Sequence, residues 1–421
     1  MRHDSASAAG FRGLEAGFAK KPGRAMPYSG KHSAMRTNSI FGFVPRLAVF
    51  YSALFILPGI QMPFFPVWLN AKNLDPKLIG IVLAVPMVTR VLAIPVVTRE
   101  ADRRDAVRAA LAFAALGSVV GLALVGLSAG AAAILVAYVL TSLASTPMMP
   151  LAETYALKGL TARGRAYGPV RLWGSFAYIG GNFAAGFAAD VIPARHLIWL
   201  MVAASVLIAF AALLLPPAKS TAESSETPPV RSESLLRNRA FVAVIAAASL
   251  IQASHALFYG FSAVQWHAAG LDGTVIAALW ALGVAAEIVL FAMQSRLPPF
   301  FEPTVLLMVG ACGGALRWAG MSFDLPTTAL AALQLLHALS FGATHLGALM
   351  VVARFAPPGQ AATAQGYLAI ALGLAMAAAI AISGVLYEDF GSRAYVAMTL
   401  MAIAGGACGF VAHRMRREMT R

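Results

Sequence analysis

Eight ionisable side chains interrupt long apolar runs of the chain: Arg90, Glu153, Arg171, His255, Glu287, Arg317, His337 and His345. A charge at the centre of a bilayer costs about 2.5–3.5 kcal/mol on insertion scales, so each must meet a partner or a cavity. Glu153 and Arg171 stand near facing ends of two consecutive runs, at similar depth given the ~1.5 Å rise per helical residue. A carboxylate and a guanidinium so placed either pair with each other as a packing bridge or offer charge-assisted hydrogen bonds to a solute. Glu287, Arg317 and His337 lie near the middle of three further consecutive runs. A carboxylate, an arginine and a histidine able to trade a proton near neutral pH suit proton coupling, or else a structural polar cluster. His345 is eight residues past His337 and shares its helix face. Gln252, His255, Tyr259, Ser262 and Trp266, at offsets 0, 3, 7, 10 and 14, form one polar-aromatic stripe on a helix, as a cavity lining would. His255 by itself reads as a hydrogen-bonded core histidine.

Other chemistries lack their residues. The sequence has no GxxxxGK[ST], HExxH or GxSxG motif. Its two cysteines, Cys312 and Cys408, exclude a disulfide framework and a cysteine metal site on number. No metal, cofactor or enzymatic activity is expected.

The elements that carry these residues are membrane helices. Hydrophobic residues make up 59% of the 421 and charged ones 12%, against about 25% charged in soluble domains. Runs long enough to cross a bilayer of about 30 Å fall at 46–69, 77–98, 107–127, 131–157, 169–189, 196–215, 240–266, 274–295, 304–322, 327–353, 362–386 and 394–412. Lipid offers no partner to an open strand edge, so the runs are helices. The fold class is an all-α membrane protein of about twelve transmembrane helices in two pseudo-symmetric six-helix bundles.

The net charge is +14, and its placement identifies its role. Lys and Arg crowd the leader, the tail and alternate loops. The opposite loops hold only Lys72, Lys77, Arg195 and Arg393. This positive-inside asymmetry puts both termini in the cytoplasm and accounts for the basic excess without a nucleic-acid partner. The segment "PPAKSTAESSETPPVRSESLLRNR" reads as a flexible linker. The organisation is then a basic cytoplasmic leader at 1–45, bundles at 46–215 and 240–413, a cytoplasmic linker at 216–239 and a basic tail at 414–421. The leader has no continuous apolar core, so it is not a secretory signal. It is either a disordered tail or an overlong translation start before Met35.

The halves look related. Residues 67–92 can be laid on 265–289 with one gap, so that Trp68 meets Trp266, Asp75 meets Asp272 and Arg90 meets Glu287. Such duplication marks transporters, whose sites lie near the midplane between repeats. Glycines in spans 5 and 9 allow close helix approach, and prolines in spans 1 and 4 bend helices or free carbonyls.

At "YGPVRLWGS", "QASHALFYGFSAVQWHAAG", "LWALGVAAEIVLFAMQSRL", "LRWAGM" and "LQLLHALSFGATHLGALM" the chain resembles the major facilitator superfamily, and within it the 3-phenylpropionic acid transporter family. The resemblance covers nearly all of 46–412 and implies proton symport of aromatic carboxylates across a bacterial inner membrane. It extends distantly to lactose permease-like transporters. These pair a Glu of helix 4 with an Arg of helix 5, and use Glu, Arg and His of helices 8, 9 and 10. Glu153, Arg171, Glu287, Arg317 and His337 match by helix and order. Two departures stand out. The proton-carrying Glu of helix 10 has no counterpart near Leu339 or Ser340. The loop signature after helix 2 is reduced to "TREADRRDAVR", which keeps Asp102 and Arg103.

The resulting expectation is a proton-coupled importer of a small organic solute, an aromatic monocarboxylate. Glu153, Arg171, Trp173, His255, Tyr259, Trp266 and Trp280 are the substrate candidates. Arg171 holds the carboxylate, and Trp173, Tyr259, Trp266 and Trp280 stack on the ring. Glu287, Arg317 and His337 couple the proton. Arg90, Asp102 and Arg103 are gating or structural charges. Partners are the solute, protons and membrane lipid, with the chain a monomer. The rivals are a sugar or nucleoside symporter, a membrane sensor or scaffold on a transporter fold, and an intramembrane enzyme.

Overall fold

The computed structural model of the chain describes residues 42–216, 233–296, 298, 301–355 and 361–419. Most of the expected leader and linker, and the end of the tail, fall at 1–41, 217–232 and 420–421, outside the described residues.

The described residues form helices and no strand. Twelve long helices follow one another, alternating in direction: α1 (Phe43–Ala71), α2 (Pro76–Arg103), α3 (Val107–Leu127), α4 (Ala131–Thr161), α5 (Gly168–Val191), α6 (Ala194–Leu213), α7 (Arg239–Ala268), α8 (Gly273–Met293), α9 (Pro303–Met321), α10 (Thr327–Val352), α11 (Ala361–Phe390) and α12 (Tyr395–Met419). Ten stretches are long and apolar enough to cross a membrane, and the last of them takes in both α11 and α12. The 24 residues of α5, diluted by Arg171, Asn182 and Asp190, supply the twelfth crossing. Several helices outrun the apolar runs at the end where the chain termini lie, because polar residues there prolong a helix into water.

Local chemistry sets the boundaries. Asp75 caps α2, its Oδ1 accepting from Leu78 N at 2.7 Å, with Pro76 in the first turn. Asn238 caps α7 through Ala240 N and Phe241 N at 3.0 and 3.2 Å. The C-terminus of α6 takes donors from three helices: Arg46 to Leu214 O, Arg108 to Leu213 O and Tyr155 to Pro216 O. Cations suit that negative helix end.

Three helices are interrupted, each beside residues of interest. α4 breaks at Thr146 and Pro147, where proline has no N–H to give. α7 breaks between Ala253 and Ala256. There Ser254 Oγ donates to Ile251 O at 2.6 Å, and His255 Nδ1 lies 3.0 Å from Gln252 O. α10 widens into a π turn over Ala338–Ala343, directly after His337. Such turns are frequent at functional positions.

The helices form two bundles of six, α1–α6 and α7–α12. The expected repeat has local counterparts in both. Trp68 and Trp266 are both buried near helix ends. Asn73 and Gly270 both take positive φ in the turns that follow. Asp75 and Asp272 both occupy the N-cap position of the next helix. The bundles touch most closely at the end opposite the termini, where α5 crosses α8 and α2 crosses α11. Gly186 and Gly273 lie back to back, so that a Cβ on either would strike the other's carbonyl. Gly384 abuts the backbone of Pro76 in the same way.

Candidate functional site

Between the bundles lies a cavity of two lobes. The larger, about 1010 Å³, runs along α5 and α8 from Tyr167, Pro169 and Gln294, at the terminal end, inward to Trp280 and Arg317. The smaller, about 400 Å³, lies on the α2 and α11 side at mid-height. Met62, Tyr259 and Phe341 line both and form the neck between them.

The larger lobe holds a chain of polar contacts within the second bundle. Arg317 is 1% exposed and projects from α9. Its Nη1 donates to His337 Nδ1 at 2.9 Å, and its Nη2 donates to Gln334 Oε1. Its guanidinium also covers the Phe258 ring, 4.4 Å from the centroid. Arginine can only donate, so His337 Nδ1 must accept, and the ring proton sits on Nε2. That nitrogen faces Glu287 Oε2 at 3.5 Å. A charged imidazolium would present an N–H to the arginine's own N–H. In this arrangement His337 is therefore the neutral Nε2–H tautomer, and Glu287 is the group free to take a proton. Glu287 is the only carboxylate among the described residues that line either lobe.

Arg171 lines the same lobe from α5. Its guanidinium lies over the Phe55 ring at 3.9 Å. Glu153 stays within electrostatic reach of it. Among the described residues the two form no ion pair within 4 Å, and Glu153 is exposed and lines neither lobe. The structure thus separates the two residues and puts Arg171 alone on the cavity wall.

The aromatic candidates divide. Tyr259 forms the neck and Trp280 lines the larger lobe, stacked on Phe258 at 4.6 Å. Trp280 Nε1 and Arg317 Nε are buried and make no hydrogen bond among the described residues. Trp266 is buried against Phe258, and Trp173 is 57% exposed; neither lines a lobe. His255 is fully buried behind the wall, its Nε2 3.1 Å from Ser340 Oγ and its ring 5.6 Å from His337. Asp102 lies 3.5 Å from Lys158 at the exposed end of α2, where Arg103 is exposed too. Arg90 and His345 line the smaller lobe.

Sequence reasoning missed Gln334 and Asp190. Gln334 precedes His337 by one helical turn, which was a usable signal. Asp190 is the only carboxylate of α5, close to its end, and it accepts from Gly273 N, Thr274 N and Thr274 Oγ1 of the facing bundle, the last two at 3.0 and 2.6 Å. No sequence pattern announces a cap supplied from the facing bundle.

The comparisons with known proteins agree with this architecture. The model of the MFS_1 like family matches residues 44–397, most of the chain. The chain belongs to that family. It is a multi-pass membrane transporter of a small molecule, as its relatives are, and not an enzyme. It is 29% identical over 363 residues to the "Probable 3-phenylpropionic acid transporter" of Escherichia coli (strain K12), covering 85% of this chain and 94% of that one. It is 27% identical to the "Maltose permease" of Geobacillus stearothermophilus, covering 85% and 91%. A crystal structure of the nucleoside transporter NupG superposes with a TM-score of 0.81 at 14% identity, over 88% of this chain and 100% of the other. At that identity the likeness shows the fold alone. The resemblance to the major facilitator superfamily noted from the motifs thus holds for this MFS_1 like chain.

Proposed function

We propose that this transporter imports a small aromatic monocarboxylate, such as a phenylpropionate, together with protons across a bacterial inner membrane. The observation that carries this reading is the sharing of one lobe by Arg171 and by the Glu287–His337–Arg317 chain. With Glu287 ionised, the lobe's two guanidiniums meet one carboxylate, and an incoming anion is repelled by it. A proton on Glu287 leaves both guanidiniums uncompensated, and the lobe then attracts a carboxylate. Anion and proton therefore bind in favour of each other and leave together. Arg171 holds the carboxylate through charge-assisted hydrogen bonds. Trp280 and Tyr259 pack on the ring. The positive-inside distribution supports cytoplasmic termini, and on that reading the larger lobe opens inward and the tightly crossed end faces out. The protein acts as a monomer, and the bundles rock about the cavity.

The maltose permease relative favours a second reading, a sugar symporter. Proteoliposomes separate the two. An imposed pH gradient should drive accumulation of labelled 3-phenylpropionate and leave maltose outside. Glu287→Gln should lower that accumulation by about tenfold or more, while counterflow persists. Full accumulation in the Glu287→Gln variant would falsify the proton role.

A further inference from the structure

The smaller lobe contains a charge that the transport reading leaves unused. Arg90 projects from the middle of α2, fifteenth of its 28 residues. Among the described residues its side chain makes one polar contact, with the thioether of Met87, 3.8 Å from Nη1. Among the described residues no carboxylate lies within 4 Å of it. It is accessible where it lines the lobe. A guanidinium at mid-membrane depth without a counter-charge is costly, and one with cavity access points to an anion from outside.

The surrounding wall is chemically specific. Phe341, Leu83 and Met376 offer an apolar surface, with Phe65 buried behind them. Gln61, Gln252 and His345 add polar groups at its edge, with Gln61 Nε2 donating to Tyr138 Oη at 2.9 Å. Gly373 faces the arginine: a Cβ there would lie 3.8 Å from Arg90 Cδ, in ordinary contact. A second observation concerns symmetry. The alignment of the halves sets Arg90 on Glu287 and α2 on α8. The smaller lobe, flanked by α2 and α11, is thus the repeat counterpart of the larger lobe, flanked by α8 and α5. The repeat has kept a charged position facing each lobe and reversed its sign.

We propose that the smaller lobe is a second binding site, in which Arg90 takes the carboxylate of an amphipathic organic acid whose apolar body lies between Met376 and Phe341. It is separate from the Arg171 site. The inference shares with the transport reading the assumption that the ligand is an organic anion, but it concerns binding and not coupling. Two guanidiniums on either side of the neck give the anion two stations along one cavity.

Equilibrium dialysis of the purified full chain in detergent against radiolabelled 3-phenylpropionate tests this. Two equivalents should bind per chain, and unlabelled 3-phenylpropionamide, without the carboxylate, should displace neither. Arg90→Gln should weaken one equivalent by at least about tenfold, the loss expected for a charge-assisted hydrogen bond, and leave the other unchanged. Gly373→Leu, which fills the lobe and keeps the arginine, should remove the same equivalent. This second variant guards against an Arg90→Gln chain that does not fold. A single equivalent that is lost in Arg171→Gln and intact in Arg90→Gln overturns this inference and leaves the transport reading standing. No binding, or two equivalents indifferent to both smaller-lobe variants, also overturns it. Arg90-dependent binding without pH-driven uptake sinks the transport reading alone.

Discussion

The polar contacts of the crossed end join the two bundles, whereas those of the larger lobe lie within one bundle. At the crossed end Asp190 of α5 caps the N-terminus of α8, Asn182 Nδ2 donates to Ala277 O at 3.0 Å, and Lys77 pairs with Glu388 at 3.0 Å. Each of these contacts crosses from the first bundle to the second. In the lobe, Glu287, Arg317, His337 and Gln334 all belong to α8, α9 and α10. The difference separates two jobs. A change in the lobe alters charge and proton exchange without touching the seam. A change in the seam alters how often the bundles part without touching the chemistry. Asn182 is buried, but Asp190 and the Lys77–Glu388 pair are largely exposed, and contacts of that kind can be exchanged for water at small cost each time the bundles rock. The buried network in the lobe would be expensive to break and has no need to break.

The largest effect belongs to Arg317→Met. It leaves His337 Nδ1 and Gln334 Oε1 without their donor and Glu287 without the network behind it. Removing one member of such a buried network costs about 3–5 kcal/mol. The thermal midpoint of the purified protein should fall by several degrees. Contacts at the crossed end should be untouched. An unchanged midpoint would mean that the lobe network is not a unit of stability, and the contrast with the seam would weaken.

A smaller effect is expected from Asp190→Asn. The side chain accepts from two backbone N–H groups and one hydroxyl of α8. Asparagine keeps one carbonyl oxygen for Gly273 N but puts an NH2 where Oδ2 accepts from Thr274 N and Oγ1; a lost hydrogen bond costs about 0.5–1.5 kcal/mol, and the exposure of Asp190 keeps the total near that range. The population with the crossed end open should rise by about tenfold, since 1.4 kcal/mol is a factor of ten. Ser262→Cys reports this: the serine is fully buried in α7, eight residues from Gly270, and the swap preserves size. With Cys312 and Cys408 replaced, the rate of maleimide labelling at position 262 should rise about tenfold in Asp190→Asn. The stability of the lobe network should not change. A labelling rate equal to the parent's removes Asp190 from the seam.

What the sequence made legible follows the same division. Twelve apolar runs and the Asp75/Asp272 register were readable because each is a local pattern tied to lipid or capping. Glu287, Arg317 and His337 were readable because a charge in an apolar run is conspicuous. Their pairing was not fully readable: Gln334, the second acceptor of Arg317, is an uncharged residue one turn from His337. That Glu153 and Arg171 either pair or bind a solute rests on their depth and on the match by helix and order, and neither says anything of azimuth. The structure turns Arg171 onto Phe55 and leaves Glu153 outside the lobes. Trp173, expected to stack on the ring held by Arg171, points elsewhere because two residues along a helix lie about 200° apart. Asp190 had no signal, since its three donors lie more than eighty residues away.

Lys77→Ala sets the lower limit of the comparison. The Lys77–Glu388 bridge crosses the same seam as Asp190, and its 3.0 Å separation is as short as that of the Asp190 contact with Thr274 N. Geometry alone would rank them together. Their surroundings do not: the side chains of Lys77 and Glu388 keep 48% and 35% of their exposure, and both charges remain solvated when the bridge opens. Many exposed pairs contribute nothing measurable, whereas Asp190 satisfies backbone N–H groups of a helix end that have no partner within their own helix. Labelling at Ser262→Cys should therefore rise by no more than about twofold in Lys77→Ala. Whatever rise occurs should vanish in 1 M salt, where the screening length falls to about 3 Å. The Asp190→Asn increase should persist there, because it reflects lost hydrogen bonds more than lost charge. If Lys77→Ala opened the seam as far as Asp190→Asn, in high salt as in low, the surface bridge would be holding the bundles together, and the helix-end cap would be incidental.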